Sequence, residues 1–332
     1  MSQDFWLNKR VLVTGAGGFI GSHLVETLLR KGARVRALVR YNSRNDPGLV
    51  RYLPADLASV LELVVGDLRD LAAVKQAMSG VSHVFHLGAL IAIPYSYLHP
   101  IEVVETNMMG TLNVLMAAQA TGVERLVHTS SSEVYGTALR VPIDEDHPLQ
   151  GQSPYSASKI GADKLAESFF CAYNLPVVTL RPFNTFGPRQ SARAVIPTMI
   201  VQALTQSMIR LGNLDATRDF TYVLDTVNGF LKVGQASGVE GKTINLGTGQ
   251  ETRIGDLAKK IIALVGKPAK IQIDTGRLRP EKSEVRRLVS DNRMAGELIA
   301  WQPEVAFEDG LRNTIEWVEE HIALYSPDRY VI

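Results

Sequence analysis

The run Val11-Leu12-Val13-Thr14-Gly15-Ala16-Gly17-Gly18-Phe19-Ile20-Gly21 leaves this chain few ways to fold. Four residues of strand character lead into glycines at 15, 18 and 21, and Ile20, Leu24, Leu28 and Leu29 then recur at helical spacing. Strand, glycine turn and helix in that order is the context in which the glycines carry chemistry. They allow a tight turn and let a pyrophosphate approach a helix N-terminus whose free N–H groups and dipole attract anions. Gly15, Gly18, Phe19, Ile20 and Gly21 are therefore expected to hold a dinucleotide, and the chain is expected to continue as a parallel, doubly wound sheet.

The alternation does continue. A second strand over Arg34 to Val39 ends at Arg40, where a dinucleotide site usually has an acid for the adenosine ribose; an arginine there suits a 2′-phosphate. Arg40 thus favours NADP over NAD, although the same side chain could stack on adenine or lie in solvent. Leu61 to Val65 forms a third strand followed by Asp67 and Leu68, and Asp67 either receives the adenine amino group or caps the helix that begins near Leu71. Val84 to Leu87 forms a fourth strand, with Leu87 and the small Gly88-Ala89 beside the cofactor. A helix from about Pro100 to Thr121 is apolar on more than one face, which suits packing on the sheet and against a second subunit. Leu126 to Ser130 and Val177 to Leu180 supply two more strands, the latter leading to Pro182, with a long helix over 155–173 between them. The acidic, proline-containing loop from Thr137 to Ser153 is expected on the surface at the substrate side.

Beyond Gly187-Pro188 the pattern loosens into shorter elements, including helices near 196–207, 225–236, 254–265 and 307–324. The fold expected is α/β, with a dinucleotide-binding domain over 1–187 to which segments at about 217–250 return, and a smaller, interleaved lobe over 188–332.

A formal net charge of +1 without basic runs gives no reason to invoke nucleic acid or an anionic membrane. No apolar run reaches the roughly 18 residues that span a bilayer, and Met1 to Lys9 is polar and leads into a strand. The single cysteine, Cys171, cannot pair within the chain and is expected as buried packing. A cytoplasmic location is expected. His83 and His86, three apart in a strand, point to opposite faces, so no metal site is expected.

The chemistry is concentrated in His128-Thr129-Ser130-Ser131-Ser132-Glu133-Val134-Tyr135-Gly136 and in Tyr155-Ser156-Ala157-Ser158-Lys159. The first puts hydroxyls and one carboxylate where a strand leaves the sheet. The second places Tyr155 and Lys159 on one helix face, where an ammonium favours a phenolate. Bringing a tyrosine from about 10 to near 7 takes about 4 kcal/mol. A lysine alone does not supply that in water, whereas a lysine with a cationic nicotinamide in a poorly hydrated cleft does.

Together with Arg181-Pro182-Phe183-Asn184 and Arg218-Asp219-Phe220-Thr221-Tyr222-Val223, these motifs resemble the extended short-chain dehydrogenase/reductases that act on nucleotide sugars, over about residues 9 to 325. The resemblance implies Tyr155 as base at the sugar C4 hydroxyl, Lys159 holding the nicotinamide ribose, and Ser131 bonding the C4 oxygen. Ser131-Ser132-Glu133 is similar to the hydroxyl, serine, glutamate order of GDP-mannose 4,6-dehydratases. That implies Glu133 as the acid and base of the elimination, with Ser132 in support. The segments 148–163 and 187–197 are similar to 4,6-dehydratases of the bacterial legionaminic acid pathway, commonly described as NAD-dependent. This implies a GDP- or UDP-linked N-acetylglucosamine as substrate, held by Asn184, Arg193, Arg218 and Arg279. It also implies a homodimer formed through a four-helix bundle of the 100–121 and 155–173 helices. A 4-epimerase, a UDP-glucuronate decarboxylase and a non-catalytic cofactor-sensing scaffold are the competing readings.

Overall fold

The structure, a computed structural model, describes residues 5–325. Residues 1–4 of the polar N-terminal stretch and 326–332 of the second lobe lie outside the described residues.

The first half alternates as the glycine turn requires: β1 (Arg10–Thr14), α1 (Phe19–Arg30), β2 (Arg34–Val39), α2 (Ala55–Ala58), β3 (Glu62–Val65), α3 (Leu71–Met78) and β4 (His83–His86). Then come α4 (Ile93–Leu98), α5 (Pro100–Val104), a π-helical turn over Glu105–Met109, α6 (Gly110–Thr121), β5 (Arg125–Thr129), α7 (Pro154–Tyr173) and β6 (Val177–Pro182). The second half runs β7 (Asn184–Phe186), α8 (Val195–Thr205), β8 (Met208–Leu211), β9 (Thr217–Arg218), β10 (Phe220–Tyr222), α9 (Val223–Gln235) and β11 (Thr243–Leu246). It closes with β12 (Thr252–Arg253), α10 (Ile254–Val265), β13 (Lys270–Ile273), α11 (Arg293–Ile299) and α12 (Phe307–Glu320).

Seven strands form one sheet in the order β11-β6-β5-β4-β1-β2-β3, every pair parallel. The order reverses at β1, between β4 and β2, and ligands of such sheets bind beyond the strand C-termini at that reversal. Strand side chains alternate between two cores. Val11, Val13, Val35, Ala37, Phe85 and Val127 join one, and Leu12, Leu38, Val84 and Leu126 the other. The fold expected from the sequence is the fold found, a Rossmann-type sheet with helices on both faces.

Three details depart from expectation. The Thr137–Ser153 loop is not wholly superficial: Ile143 is fully buried with Val134, Tyr135, Phe183, Val285 and Leu288, and its N–H donates to Val289 O at 2.7 Å. Backbone pairing with a segment far along the chain satisfies groups that a buried loop would otherwise leave bare. Cys171 is exposed, because the buried stripe of α7 runs through Tyr155, Lys159, Asp163, Ala166 and Phe169 and leaves position 171 on the opposite side. The final helix stops at Glu320, and α11 had no clear periodic signal.

Among the described residues no helix is long and apolar enough to cross a membrane, and no group of three or more His, Cys, Asp or Glu is arranged to hold a metal.

Candidate active site

The cofactor end is built by the turn after β1. Gly15 has φ +67°, and a Cβ on it would lie 2.7 Å from Gly88 N, so the turn is seated against the end of β4. Gly18 N donates to Gly15 O at 2.9 Å, and Gly18 caps α1 without a side chain. The first turn of α1, beginning Phe19-Ile20-Gly21, contains no acid, so its free N–H groups and positive dipole end have no built-in anion. Leu68 and Thr14 pack on Gly88, and Leu87 N donates to Thr14 O at 3.2 Å. Glycines packed this closely, with an uncapped helix start, fit a dinucleotide diphosphate.

Asp67 does not cap the following helix. Its carboxylate receives Arg69 N and the Arg69 guanidinium, and these bonds hold it below the usual carboxylate range; Asp70 caps α3 through Ala72 N and Ala73 N. Arg40 is exposed, 3.4 Å from Glu102, whose other oxygen receives the Tyr95 hydroxyl.

The chemical centre lies where β5 ends beside the first turns of α7. A reciprocal Ser153–Ser156 capping box and Pro154 start α7 one residue before Tyr155. Tyr155 and Lys159 are then buried, at 6% and 3% exposure. Ser131 stands two residues past the end of β5; its oxygen accepts Glu133 N at 3.2 Å, starting a short 3₁₀ turn over Ser132–Tyr135, and its hydroxyl approaches the Tyr155 phenol. Ser132 is buried. Burial pushes the Tyr155 phenol up to about 12, with the Ser131 hydroxyl working against that rise and the Glu133 and Asp163 charges adding to it. Burial also lowers the Lys159 ammonium to about 8, opposed by the Asp163 charge. The expected lowering of Tyr155 by Lys159 is therefore not made by the protein alone: Lys159 Nζ donates to Thr129 O at 2.6 Å, and the cost of burying the phenolate dominates.

Facing this pair is a looser set. Arg279 Nη1 stands 3.8 Å from Glu133 Oε2, and Arg218 Nη2 stands 3.7 Å from Glu284 Oε1. Arg218 also feels the charges of Glu133 and Arg279. Arg279 Nη1 and Asn184 Oδ1 are buried atoms without a hydrogen-bond partner. Pro182 ends β6 just before Asn184. Positions 133, 218 and 279, remote in sequence, thus meet at one mouth. Arg193 is an exposed side chain in the turn before α8.

Sequence reasoning overlooked Glu284, which lies in a segment without periodicity. It also overlooked Asp163, whose spacing of four from Lys159 was available.

The family model for GDP-mannose 4,6-dehydratase matches residues 12–314. The chain belongs to the GDP-mannose 4,6-dehydratase family. It is similar, at 34% identity over 93% of this chain and 98% of the other, to a UDP-glucose 4-epimerase of Mycolicibacterium smegmatis. Among solved structures, an epimerase of Methanothermobacter thermautotrophicus superposes with TM-score 0.89 at 32% identity, covering 97% and 95% of the two chains. The dTDP-glucose 4,6-dehydratase of Streptomyces venezuelae, solved with NAD bound, superposes with TM-score 0.85 at 30% identity, covering 96% and 99%. Relatives of this family member thus include both nucleotide-sugar dehydratases and epimerases.

Proposed function

We propose that this chain is a nucleotide-sugar 4,6-dehydratase that converts a GDP- or UDP-linked N-acetylglucosamine to the 4-keto-6-deoxy sugar, as the likeness of segment 148–163 to legionaminic-pathway dehydratases suggests. The observation that carries the reading is the Glu133 carboxylate, two residues from the Ser131 hydroxyl that approaches Tyr155. Exchange at C4 alone needs no such group; elimination across C5 and C6 needs a base and an acid.

A bound nicotinamide dinucleotide supplies the acceptor and later the donor of one hydride, with no net consumption. Tyr155 takes the proton of the C4 hydroxyl, and Ser131 orients that oxygen. Lys159, anchored on the Thr129 carbonyl, would hold the nicotinamide ribose. Glu133 takes the C5 proton, which a neighbouring 4-keto group acidifies, and returns a proton to the departing C6 hydroxyl. Arg218 and Arg279 meet the diphosphate, for which a fork of donors is suited, while Asn184 and Arg193 complete the substrate side. Glycines 15, 18 and 21, with Leu68, Leu87 and Pro182, line the dinucleotide.

Arg40 supports NADP, and the NAD bound in solved relatives supports NAD; affinities for both in wild type and Arg40→Ala decide. Exposed Ile101, Val104, Met109 and Met116 along the α5–α6 run support a homodimer through that helix and α7, which sedimentation measures.

The test is incubation in deuterated water with GDP- and UDP-N-acetylglucosamine, GDP-mannose and UDP-glucuronate, reading product mass. Loss of one water with solvent deuterium kept at C5 supports the reading and names the nucleotide. Unchanged mass with an altered sugar means epimerisation, loss of carbon dioxide means decarboxylation, and no reaction means a scaffold.

A further inference from the structure

Tyr155, Lys159 and Asp163 follow one another at intervals of four along one face of α7. Asp163 is 4% exposed, yet its carboxylate receives four hydrogen bonds: His128 Nε2 at 3.1 Å on one oxygen, and on the other Ser130 Oγ at 2.8 Å, Arg181 Nη2 at 3.0 Å and Arg181 Nε at 3.2 Å. An ionised carboxylate only accepts, so His128 carries its proton on Nε2; its Nδ1 has no partner. The arrangement on β5 is the informative part. The side chains of residues 128 and 130 both reach Asp163, and the carbonyl of residue 129 between them receives Lys159 Nζ. Three consecutive residues of the strand are pinned to two consecutive turns of the helix, immediately before Ser131.

We propose that Asp163 is the positioning residue that locks the Ser131–Glu133 strand end to the Tyr155–Lys159 helix and supplies the negative charge that the buried Lys159 ammonium requires. The inference rests on the reading of Tyr155 and Lys159 as the working pair. Charged and titratable groups facing Asp163 are Tyr155 and Lys159 on its own helix, His128 on β5, Arg181 on β6 and, around an adjoining cavity of about 510 Å³, Lys164 and Glu167 of α7, Glu145 and His147 of the loop after β5 and Lys242 before β11. Burial alone would raise the Asp163 carboxyl, but the His128 bond and the Arg181, His128 and Lys159 charges keep it below its ordinary value. The same charge raises both Lys159 and Tyr155 against what each would otherwise be.

Removing the charge while keeping the shape therefore acts on both members in one direction. In Asp163→Asn the Lys159 ammonium and the Tyr155 phenol each lose their proton at lower pH, so both limbs of the turnover profile move to acid by at least about one pH unit, since one charge at roughly 4 to 12 Å in an effective dielectric of about 20 is equivalent to about three down to one units. A second reading needs no substrate. Phenolate difference absorbance between proteins with and without Tyr155→Phe reports the tyrosine directly, and it should also titrate at least about one unit lower in the Asp163→Asn background.

Asp163→Glu keeps the charge and should restore both positions even where stability suffers. A profile that only loses height, with limbs and phenolate titration unmoved, overturns the proposal, as does an Asp163→Glu profile displaced like that of Asp163→Asn. If Asp163→Asn does not fold, Ser130→Ala removes one neutral tie; kcat should fall roughly tenfold at constant KM, and wild-type kcat there overturns the proposal. If no nucleotide sugar is turned over by the wild type, the functional reading fails while the phenolate titration still decides the role of Asp163.

Discussion

Two charge clusters, one buried and one half-buried, flank the candidate site and are built differently. Around Asp163 both carboxylate oxygens accept hydrogen bonds at 2.8–3.2 Å, and Arg181 spends its remaining Nη1 on the Tyr135 hydroxyl, which donates on to Asn245. Around Glu133 the nearest cations stand 3.7–3.8 Å from their acids, and Arg279 keeps a buried N–H without a partner. The first cluster pairs its charges within the protein, leaving only the neutral His128 Nδ1 without a partner, and stabilises geometry, since a buried pair contributes only when its charged groups are met. The second is left with electrostatic capacity to spare, as a site for a doubly charged diphosphate requires. Buried charge by itself does not mark function; the degree to which the protein satisfies it separates the framework from the opening.

The largest test removes the carboxylate of the second cluster. Glu133→Gln should lower dehydration by about 10³- to 10⁴-fold, on the order of 4 to 5 kcal/mol, with stability changed by less than about 0.5 kcal/mol because Arg279 is held so loosely. Paired kinetics and denaturant titration read both, and full turnover would end the assigned role. The first cluster should respond in the opposite sense. Arg181→Leu breaks a hydrogen-bonded buried pair and should cost about 3 to 4 kcal/mol of stability, seen in the denaturation midpoint whether or not substrate binds.

Lys159 lies between the two behaviours. Its ammonium is lowered from 10.5 to about 8, so the unfolded chain binds more protons than the folded one between those values. The destabilisation is fully present below pH 8 and fades as pH rises toward 10.5. Lys159→Met should therefore abolish turnover yet raise stability at pH 7 by about 2 kcal/mol, roughly 3 from the removed ammonium less about 1 for the Thr129 carbonyl left unpaired. Above pH 10.5 the gain should turn into a loss of about 1 kcal/mol, and a mutant less stable than wild type at pH 7 contradicts it. The smallest effect is Arg279→Ala, which should raise KM about tenfold, about 1.4 kcal/mol, with kcat nearly unchanged; titration of the nucleotide diphosphate alone reads the same loss.

These clusters also mark how far the sequence could be read. The sheet was accessible because β1, α1 and their successors repeat a local signal: alternating apolar residues, then a turn, then apolar residues at helical spacing. Tyr155 and Lys159 were accessible because four residues on a helix is local geometry. Nothing local joins Asp163 to Arg181 or Glu133 to Arg279; those contacts exist only once β5, β6 and the later lobe are assembled. Asp67 and Asp70 show the limit at short range, since both suit the start of α3 and a displacement of three residues decides which one caps it. Ile143 shows it at long range, because it is buried against Val285 and Leu288 and its N–H is met by Val289 O.

The order of strands also bears on how the chain emerges from a ribosome. β6 is complete at residue 182, but its outer neighbour β11 begins at residue 243, about sixty residues later. Until that stretch has been made, the nascent sheet carries an open edge of the kind that pairs with other chains. Translation speed across residues 183–243 thus sets how long β6 stays the bare edge, and a pause there exposes the growing protein to aggregation before the short, four-residue β11 takes the edge position.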